Sequence, residues 1–432
     1  MNEEEVLGIG TYLTPDLPGI GGRLKMYPED FIVNEISINP EQQEGGKYTI
    51  ARIRTRNWET NQLVREMATQ LRISRKKITY AGTKDKRAIT TQLFCFQAPM
   101  DEVLKINLPG FMIIDAYPSN KKIMLGDLIG NKFNLVVRNI ELPESEIKNR
   151  VDKIYENIMK SQGVPNFFGV QRFGSVRPLT HLVGKAIIKG NFKEAVRLYV
   201  GAPQKYEDET LQKIRKYFDE TFDYEKTLKE MPPDYTYERT ILHRLVETGG
   251  DCVSALSALP DKLLTLFIHA YQSYIFNKVL TLRLKKNLPL NEPVVGDILC
   301  PVKYPEMVPD NNIYINVTND NLEKSRKQCI ERKAFVTGVL PGREPVFATG
   351  LPGEIEMEIF EGEHLVPEDF IVPDFPGITT KGKRRELLLR VFDFKYITGE
   401  KTCEFEFWLT KGNYATTVMR EFMKARSLVD YS

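Results

Sequence analysis

Ile78-Thr79-Tyr80-Ala81-Gly82-Thr83-Lys84-Asp85-Lys86-Arg87-Ala88-Ile89-Thr90-Thr91-Gln92-Leu93-Phe94-Cys95-Phe96 sets two β-forming runs on either side of a charged, glycine-bearing loop. Ile78–Tyr80 and Thr91–Phe96 read as strands, being rich in β-branched and aromatic residues. The loop between them is then held by sheet at both ends, a usual place for chemistry. Within it one carboxylate, Asp85, stands between Lys84 and Lys86, with Arg87 next. Neighbouring positive charge favours the ionised form of an acid, and an ionised carboxylate can act as a nucleophile or a base. The same cations attract a phosphate backbone. Two readings stay open on local composition: a reactive acid inside an anion-binding surface, or a solvated turn that closes a hairpin.

Outward from this loop the first third alternates strands and helices. Phe31–Ile36, Tyr48–Arg54, Phe111–Tyr117 and Lys132–Val137 read as further strands. Thr60 can cap a helix running to about Leu71, with Leu63, Met67 and Leu71 on one face. A second helix is expected at Glu144–Ser161, with Ile147, Val151, Ile154 and Ile158 in register and Gly163 to end it. From about 176 the texture turns helical, with helices predicted at 179–199, 208–222, 238–248 and 261–286. The span 288–378 is richer in Pro and Gly and reads as mixed β and loop. The tail returns to the early pattern: Cys403–Leu409 alternates as a strand, Lys411-Gly412-Asn413 turns, and Ala415–Ala425 reads as a helix. The end of the chain is therefore expected to join the sheet begun at its start, with a helical and mixed unit inserted between. Pro28-Glu29-Asp30-Phe31-Ile32-Val33 recurs as Pro367-Glu368-Asp369-Phe370-Ile371-Val372. The flanks do not match, so the pair is read as two proline-led turns entering strands rather than a duplicated domain.

At 432 residues the length suggests two or three domains. An apolar share of 42% suffices for a core, and 27% charged residues is near the globular norm. No apolar run reaches the length needed to cross a bilayer, and the acidic start Met1-Asn2-Glu3-Glu4-Glu5 does not read as a secretory signal. The five cysteines are scattered without a C-x-x-C pair and read as reduced thiols of a cytoplasmic protein. Net charge is only +2, but it is unevenly placed: residues 1–46 carry nine acids and two bases, Arg23 and Lys25, whereas residues 72–87 carry seven bases against Asp85 alone. Arg52, Arg54 and Arg56 share one face if their segment is a strand. Such local fields can guide a polyanion.

Asn166-Phe167-Phe168-Gly169-Val170-Gln171-Arg172-Phe173-Gly174 is the second dense cluster. Rings suit the face of a nucleobase and amides its edge; equally, the cluster can be a buried aromatic turn whose amides cap backbone. Tyr414 stands at a strand-to-helix junction, and Lys381-Gly382-Lys383-Arg384-Arg385 is a short basic run. The chain has no G-x-x-x-x-G-K-[ST] loop and no G-x-S-x-G elbow. Its four histidines are far apart, which disfavours a zinc centre, and His269 reads as a structural side chain on an apolar helix.

Together these residues resemble the TruD family of RNA pseudouridine synthases, in its archaeal form. Pro28-Glu29-Asp30-Phe31, Gly82-Thr83-Lys84-Asp85, Gly126-x-x-x-Gly130-Asn131-x-Phe133, the nine-residue Asn166–Gly174 signature and the tail around Tyr414-Ala415-Thr416 occur in the family's order. The resemblance implies an α+β fold: a catalytic domain of residues 1–175 and 388–432, with a central mixed and antiparallel sheet built from both chain ends. Residues 176–387 would form an inserted TRUD domain, with the 261–286 helix packed on the catalytic part. It further implies isomerisation of uridine to pseudouridine in RNA, most typically uridine-13 of tRNA, with Asp85 as the catalytic aspartate. Phe31 and Asn166 would contact the target nucleotide, Phe168 would stack on its base, and Lys84 would adjoin Asp85. Tyr414 falls where bacterial members carry Phe. Lys84, Lys86 and Arg87 are expected to hold Asp85 ionised and grip phosphates, and Arg75, Lys76 and Lys77 to touch RNA backbone. No cofactor, metal, membrane or obligatory protein partner is expected, since the isomerisation needs neither redox change nor energy input. Two other readings remain: a non-catalytic RNA-binding or RNA-folding protein using the same surface, and a metal-dependent phosphate-ester enzyme.

Overall fold

Alternating inward and outward side chains build the larger sheet of the protein, whose computed structural model describes residues 3–431. Met1 and Asn2, the start of the acidic stretch, lie outside the described residues, as does Ser432. The sheet contains β1 (Phe31–Ser37), β2 (Tyr48–Arg56), β3 (Ile78–Tyr80), β4 (Ile89–Phe96), β5 (Phe111–Ser119), β6 (Leu128–Val137), β7 (Phe392–Gly399) and β8 (Thr402–Thr410). Its order is β7-β8-β6-β1-β4-β2-β5, with β3 also beside β4. Only the β1–β4 pairing is parallel; the remaining pairs are antiparallel. The sheet is thus mixed, and both ends of the chain supply its strands.

On β6 and β8 every second residue points inward: Phe133, Leu135 and Val137 on one, Cys403, Phe405, Phe407 and Leu409 on the other. Against that face lie α2 (Glu144–Lys160), through Ile147, Val151, Ile154 and Ile158, and α4 (Ala415–Met423), through Val418 and Phe422. Each such aliphatic or aromatic side chain contributes about 1.5–3 kcal/mol when withdrawn from water. A separate cluster joins Leu63, Val64 and Met67 of α1 (Thr60–Gln70) to Ile53, Phe94 and Phe96. Thr60 is not the cap of α1 as expected. Glu59 fills that role, its carboxylate accepting the Gln62 amide at 2.8 Å, and the Thr60 hydroxyl instead accepts the Lys84 amide at 2.8 Å.

The middle of the chain holds the helices Thr180–Ile188, Phe192–Val200, Glu209–Thr221, Tyr224–Glu230, Thr236–Thr248 and Cys252–Ser257, packed with α3 (Asp261–Lys285). The single helix expected over 179–199 is two: Gly190 takes a positive φ of 67°, and the Asn191 side chain caps the new helix at Glu194. Ala270, Tyr271, Gln272 and Ser273 are consecutive and all buried, so α3 is surrounded rather than surface-lying. Its Asn277 amide bonds both the N–H and the carbonyl of Phe168, at 2.9 and 3.0 Å, and the Leu7 carbonyl at 2.9 Å. The span 288–378 holds the strands Ile315–Asn316, Ile298–Lys303 and Ala334–Leu340, which with Lys383–Glu386 from beyond it form a small sheet in that order, together with the helices Leu322–Ile330 and Gly350–Gly362. The latter was hidden from a composition reading by its glycines and proline. A two-stranded link pairs Val164–Pro165 with Leu388–Leu389.

Both Pro-Glu-Asp-Phe repeats are short 3₁₀ turns in which the Asp carboxylate accepts the backbone amide three residues before it, Asp30 from Tyr27 and Asp369 from Val366. Only the first enters a strand. The five cysteines are free thiols. Among the described residues no helix is long and apolar enough to cross a membrane.

Two stability predictions follow from this packing. At Gly130 an added Cβ would sit 2.0 Å from the Leu409 carbonyl oxygen across the β6–β8 pairing. Gly130→Ala is expected to destabilise the fold by about 1–3 kcal/mol, read as a lower urea midpoint. His181 is buried between the rings of Phe173 and Tyr274, and burial lowers its pKa to about 4. An unfolded histidine titrates near 6.5, so between those values the unfolded state binds more protons and stability falls as pH drops. The shift corresponds to about 3 kcal/mol; His181→Phe is expected to lose less stability than the parent between pH 7 and pH 4 in denaturant titrations.

Candidate active site

Consecutive residues of the 81–88 loop face opposite ways. Lys84 turns inward: its amide is held by Thr60, and its ammonium donates to Glu35 Oε2 of β1 at 2.7 Å with both side chains buried. Glu35 also accepts the Ser37 hydroxyl at 2.8 Å. Asp85 turns outward and is half exposed, accepting at Oδ2 from Lys25 Nζ at 2.8 Å. The expectation that Lys84 provides the countercharge for Asp85 is therefore corrected. Lys84 is committed to Glu35, and the cation on Asp85 is Lys25, 60 positions earlier in the chain. Lys25 itself is buried and has a positive φ of 54°. Its ammonium lies 4.2 Å from the centroid of the Phe31 ring, a cation–π contact.

Asp85 lines a cleft of about 310 Å³ with Phe31, Asn131, Gln171, Asn413 and Tyr414. Phe31 is buried and leans edge-on against Phe133 with centroids 6.2 Å apart. Asn131 reaches the cleft because it shares one face of β6 with Phe133. The Gln171 side-chain oxygen accepts from the Thr416 hydroxyl at 3.0 Å, whereas the side-chain oxygens of Asn131 and Asn413 are buried without a protein donor among the described residues. Buried acceptors of this kind are rare unless a partner arrives.

The Asn166–Gly174 signature divides between this cleft and a second one. Gln171 lines the Asp85 cleft, while Phe168 and Arg172 line a cavity of about 520 Å³; the two spaces share Gly412 and Tyr414. Asn166 lines neither. It is buried, its amide donating to the Glu386 carbonyl at 3.0 Å and its oxygen accepting from Arg385 at 2.8 Å. The Phe168 ring carries the Arg385 guanidinium at 4.1 Å, with Arg172 at 5.6 Å and Phe276 edge-on at 5.6 Å. Phe31, Lys84, Asp85 and Tyr414 are thus brought together around one cleft, Phe168 stands in the adjoining one, and Asn166 lies behind it. His269 is not packed away in apolar surroundings: it lines the second cavity, and burial with the charges of Arg172 and Lys383 lowers its pKa to about 4.

Of the expected backbone contacts, Lys86 and Arg87 flank Asp85 at the surface, Arg87 donating to the Met26 carbonyl at 3.1 Å. Arg75, Lys76 and Lys77 are exposed on a 3₁₀ turn at the end of β3 away from the loop. Arg52 and Arg56 are matched by Asp115 and Glu29 at 3.2 and 2.7 Å. Sequence reading gave Lys25 no place in the site, and carried Asn131, Gln171 and Asn413 within its motifs without assigning them a role of their own. The available signals were slight: Lys25 is one of two cations in an acidic stretch, and Asn131 precedes Phe133 by the strand period of two. A carboxylate, a fixed ammonium, three rings and unsatisfied amide oxygens around one cleft can hold a planar, hydrogen-bonding ring beside a nucleophile or base.

The family model described as tRNA pseudouridine synthase D (TruD) matches residues 6–422. A Methanococcoides burtonii protein named "Probable tRNA pseudouridine synthase D" is 42% identical over 99% of this chain and 98% of its own. A Thermococcus gammatolerans protein of the same name is 38% identical over 94% of this chain and 96% of its own. The crystal structure of the candidate TruD of Methanosarcina mazei superposes with a TM-score of 0.86 at 40% identity, covering 99% of this chain and 98% of that one.

Removing one partner of a buried ion pair leaves the other uncompensated, which destabilises by about 3–5 kcal/mol, whereas replacing both by apolar residues is often neutral. Glu35→Gln is therefore expected to lower the unfolding free energy by roughly that amount. The double variant Glu35→Met/Lys84→Met should regain most of it, as measured by denaturant unfolding.

Proposed function

This chain belongs to the tRNA pseudouridine synthase D family, and from that premise we propose that Asp85 is the catalytic group in isomerising uridine-13 of tRNA. The family's activity, conversion of uridine to pseudouridine in tRNA, makes the protein an isomerase. The C1′–N1 bond breaks, the uracil ring turns, C1′–C5 forms, and the proton lost from C5 is balanced by one gained at N1. Nothing is oxidised or reduced overall.

The observation that carries the assignment is the half-exposed Asp85 carboxylate, anchored by Lys25 at 2.8 Å, in a cleft walled by Phe31 and Tyr414. Extruding a base from a folded RNA costs a few kcal/mol, and stacking on an aromatic side chain returns about 1–3 kcal/mol per base. Phe31, Phe133 and Tyr414 are the rings lining the Asp85 cleft, and Phe31 and Tyr414 suit that role. Phe168, whose face is occupied by Arg385, acts one cavity away. The oxygens of Asn131 and Asn413 suit the N–H edge of uracil. Asp85 adds to C1′ or C6, or removes the C2′ proton; all three remain compatible with its position. Lys25 limits its drift and faces it with positive charge. In this reading residues 1–175 and 388–432 carry the chemistry and 176–387 form the inserted unit. Lys86 and Arg87 meet the backbone beside the target, with Arg75, Lys76 and Lys77 further along it.

Asp85→Asn keeps the size and polarity of the side chain but removes the carboxylate. Incubated with unmodified tRNA transcripts and mapped for pseudouridine, the parent should modify position 13. The variant should bind tRNA with similar affinity and form none. Pseudouridine made by the variant would overturn the role of Asp85, and modification elsewhere would overturn the position.

A further inference from the structure

Lys383 and Arg385 are two apart on one strand and line the 520 Å³ cavity. Arg384 between them, though also counted in that lining, has its guanidinium buried on Glu356 at 2.7 Å. The contrast is informative. Arg384 has an internal carboxylate, as a buried guanidinium normally requires. Among the described residues Arg385, Lys383 and Arg172 have no ion-pair partner, and the Nε of Arg385 is buried without any acceptor. Burial, and then the charge of Arg385, lowers the pKa of Arg172 against a gain from Tyr414. Glu386 offsets part of this repulsion at Lys383, but among the described residues no carboxylate pairs with the three cations, and an entering anion relieves the remainder.

Their placement is also constrained. Arg385 lies over Phe168, its guanidinium carbon 4.1 Å from the ring centroid, and is tied to Asn166 at 2.8 Å; Arg172 is tied to Ser273 at 3.1 Å. A planar guanidinium held on a ring keeps its donors in a fixed fork suited to phosphate. Glu386 is the acid in the lining, and His269 remains neutral down to about pH 4. Gln171 and Arg172 are neighbours in sequence, yet one lines the Asp85 cleft and the other this cavity, with Tyr414 common to both.

We infer that the second cavity binds a backbone phosphodiester of the RNA next to the target nucleotide, through Arg172, Lys383 and Arg385. Asn166 and Phe168 are then positioning residues that act through Arg385. The inference rests on the function proposed above: with the target base in the Asp85 cleft, the strand must continue past Tyr414, and the unmatched cations lie there.

The test uses the full-length protein with tRNA and with a tRNA-derived stem-loop carrying one uncharged methylphosphonate linkage on either side of the target uridine. Binding is measured across salt concentrations. One phosphate contact contributes about 0.7–0.9 to the log–log salt slope. One of the two neutral linkages should reduce the slope for the parent protein by that amount. Arg385→Gln should reduce it equally on the natural RNA, and the neutral linkage should add no further loss in that variant. Asn166→Ala should reproduce the reduced slope, a readout that an asparagine serving only stability would not move. Because the modified RNA is tested on the unaltered protein, the result does not depend on a variant folding. An unchanged slope with both neutral linkages, while pseudouridine still forms, overturns the inference and leaves the proposed function standing. Competition by inorganic phosphate with no effect of either neutral linkage also overturns it, since the site would then take a free anion. Absence of pseudouridine from every tRNA offered to the parent would instead sink the premise.

Discussion

The buried pair between Lys84 and Glu35 holds the loop on which the candidate chemistry depends. Glu35 lies on β1 in the middle of the sheet, and Lys84 comes from the connection between β3 and β4. An ammonium and a carboxylate withdrawn from water tolerate little separation, because each would be left uncompensated in a poorly polarisable interior. With Lys84 drawn inward and its amide bonded to Thr60, the next residue must project the other way. Asp85 therefore reaches the cleft by backbone constraint, and Lys25 fixes its carboxylate from beside Phe31 at the start of β1.

The same separation of duties recurs around the second cavity. Arg384 points into the fold and is neutralised by Glu356, while its neighbours Lys383 and Arg385 line open space. In both places one cation of a charged run is matched by a buried carboxylate and fixes the local backbone, and the residue beside it faces a cleft. Tyr414 stands between the two spaces at the start of α4, where the end of the chain returns to the sheet. The signature turn is fastened from behind by Asn277 of α3. The helical region and the sheet thus meet at the residues that shape the clefts.

Much of this architecture was legible in the sequence. Strands with a period of two, such as Cys403–Leu409, and helices with a clear apolar stripe, such as Glu144–Lys160, were found because burial on one face leaves a regular mark. The break at Gly190-Asn191 was missed because apolar residues continue on both sides of it. The helix Gly350–Gly362 was missed because Gly and Pro argue against a helix locally, and packing overrode them. At the site, Asp85, Phe31 and Tyr414 were legible as one constellation. Asn166 was legible as important but not as what it is here, a tether for Arg385 behind a ring.

What the sequence determined by itself was the family, the mixed sheet from both chain ends and the acid in a basic loop. These depend on residue identity, spacing and periodicity, all of which are local. Only the tertiary structure decided which cation meets which acid. Lys84 is adjacent to Asp85 in the chain yet bonds Glu35, and Lys25 is 60 positions away yet bonds Asp85. Proximity along the chain sets which charges are available; the strand pairing and the burial of each side chain set which of them can touch.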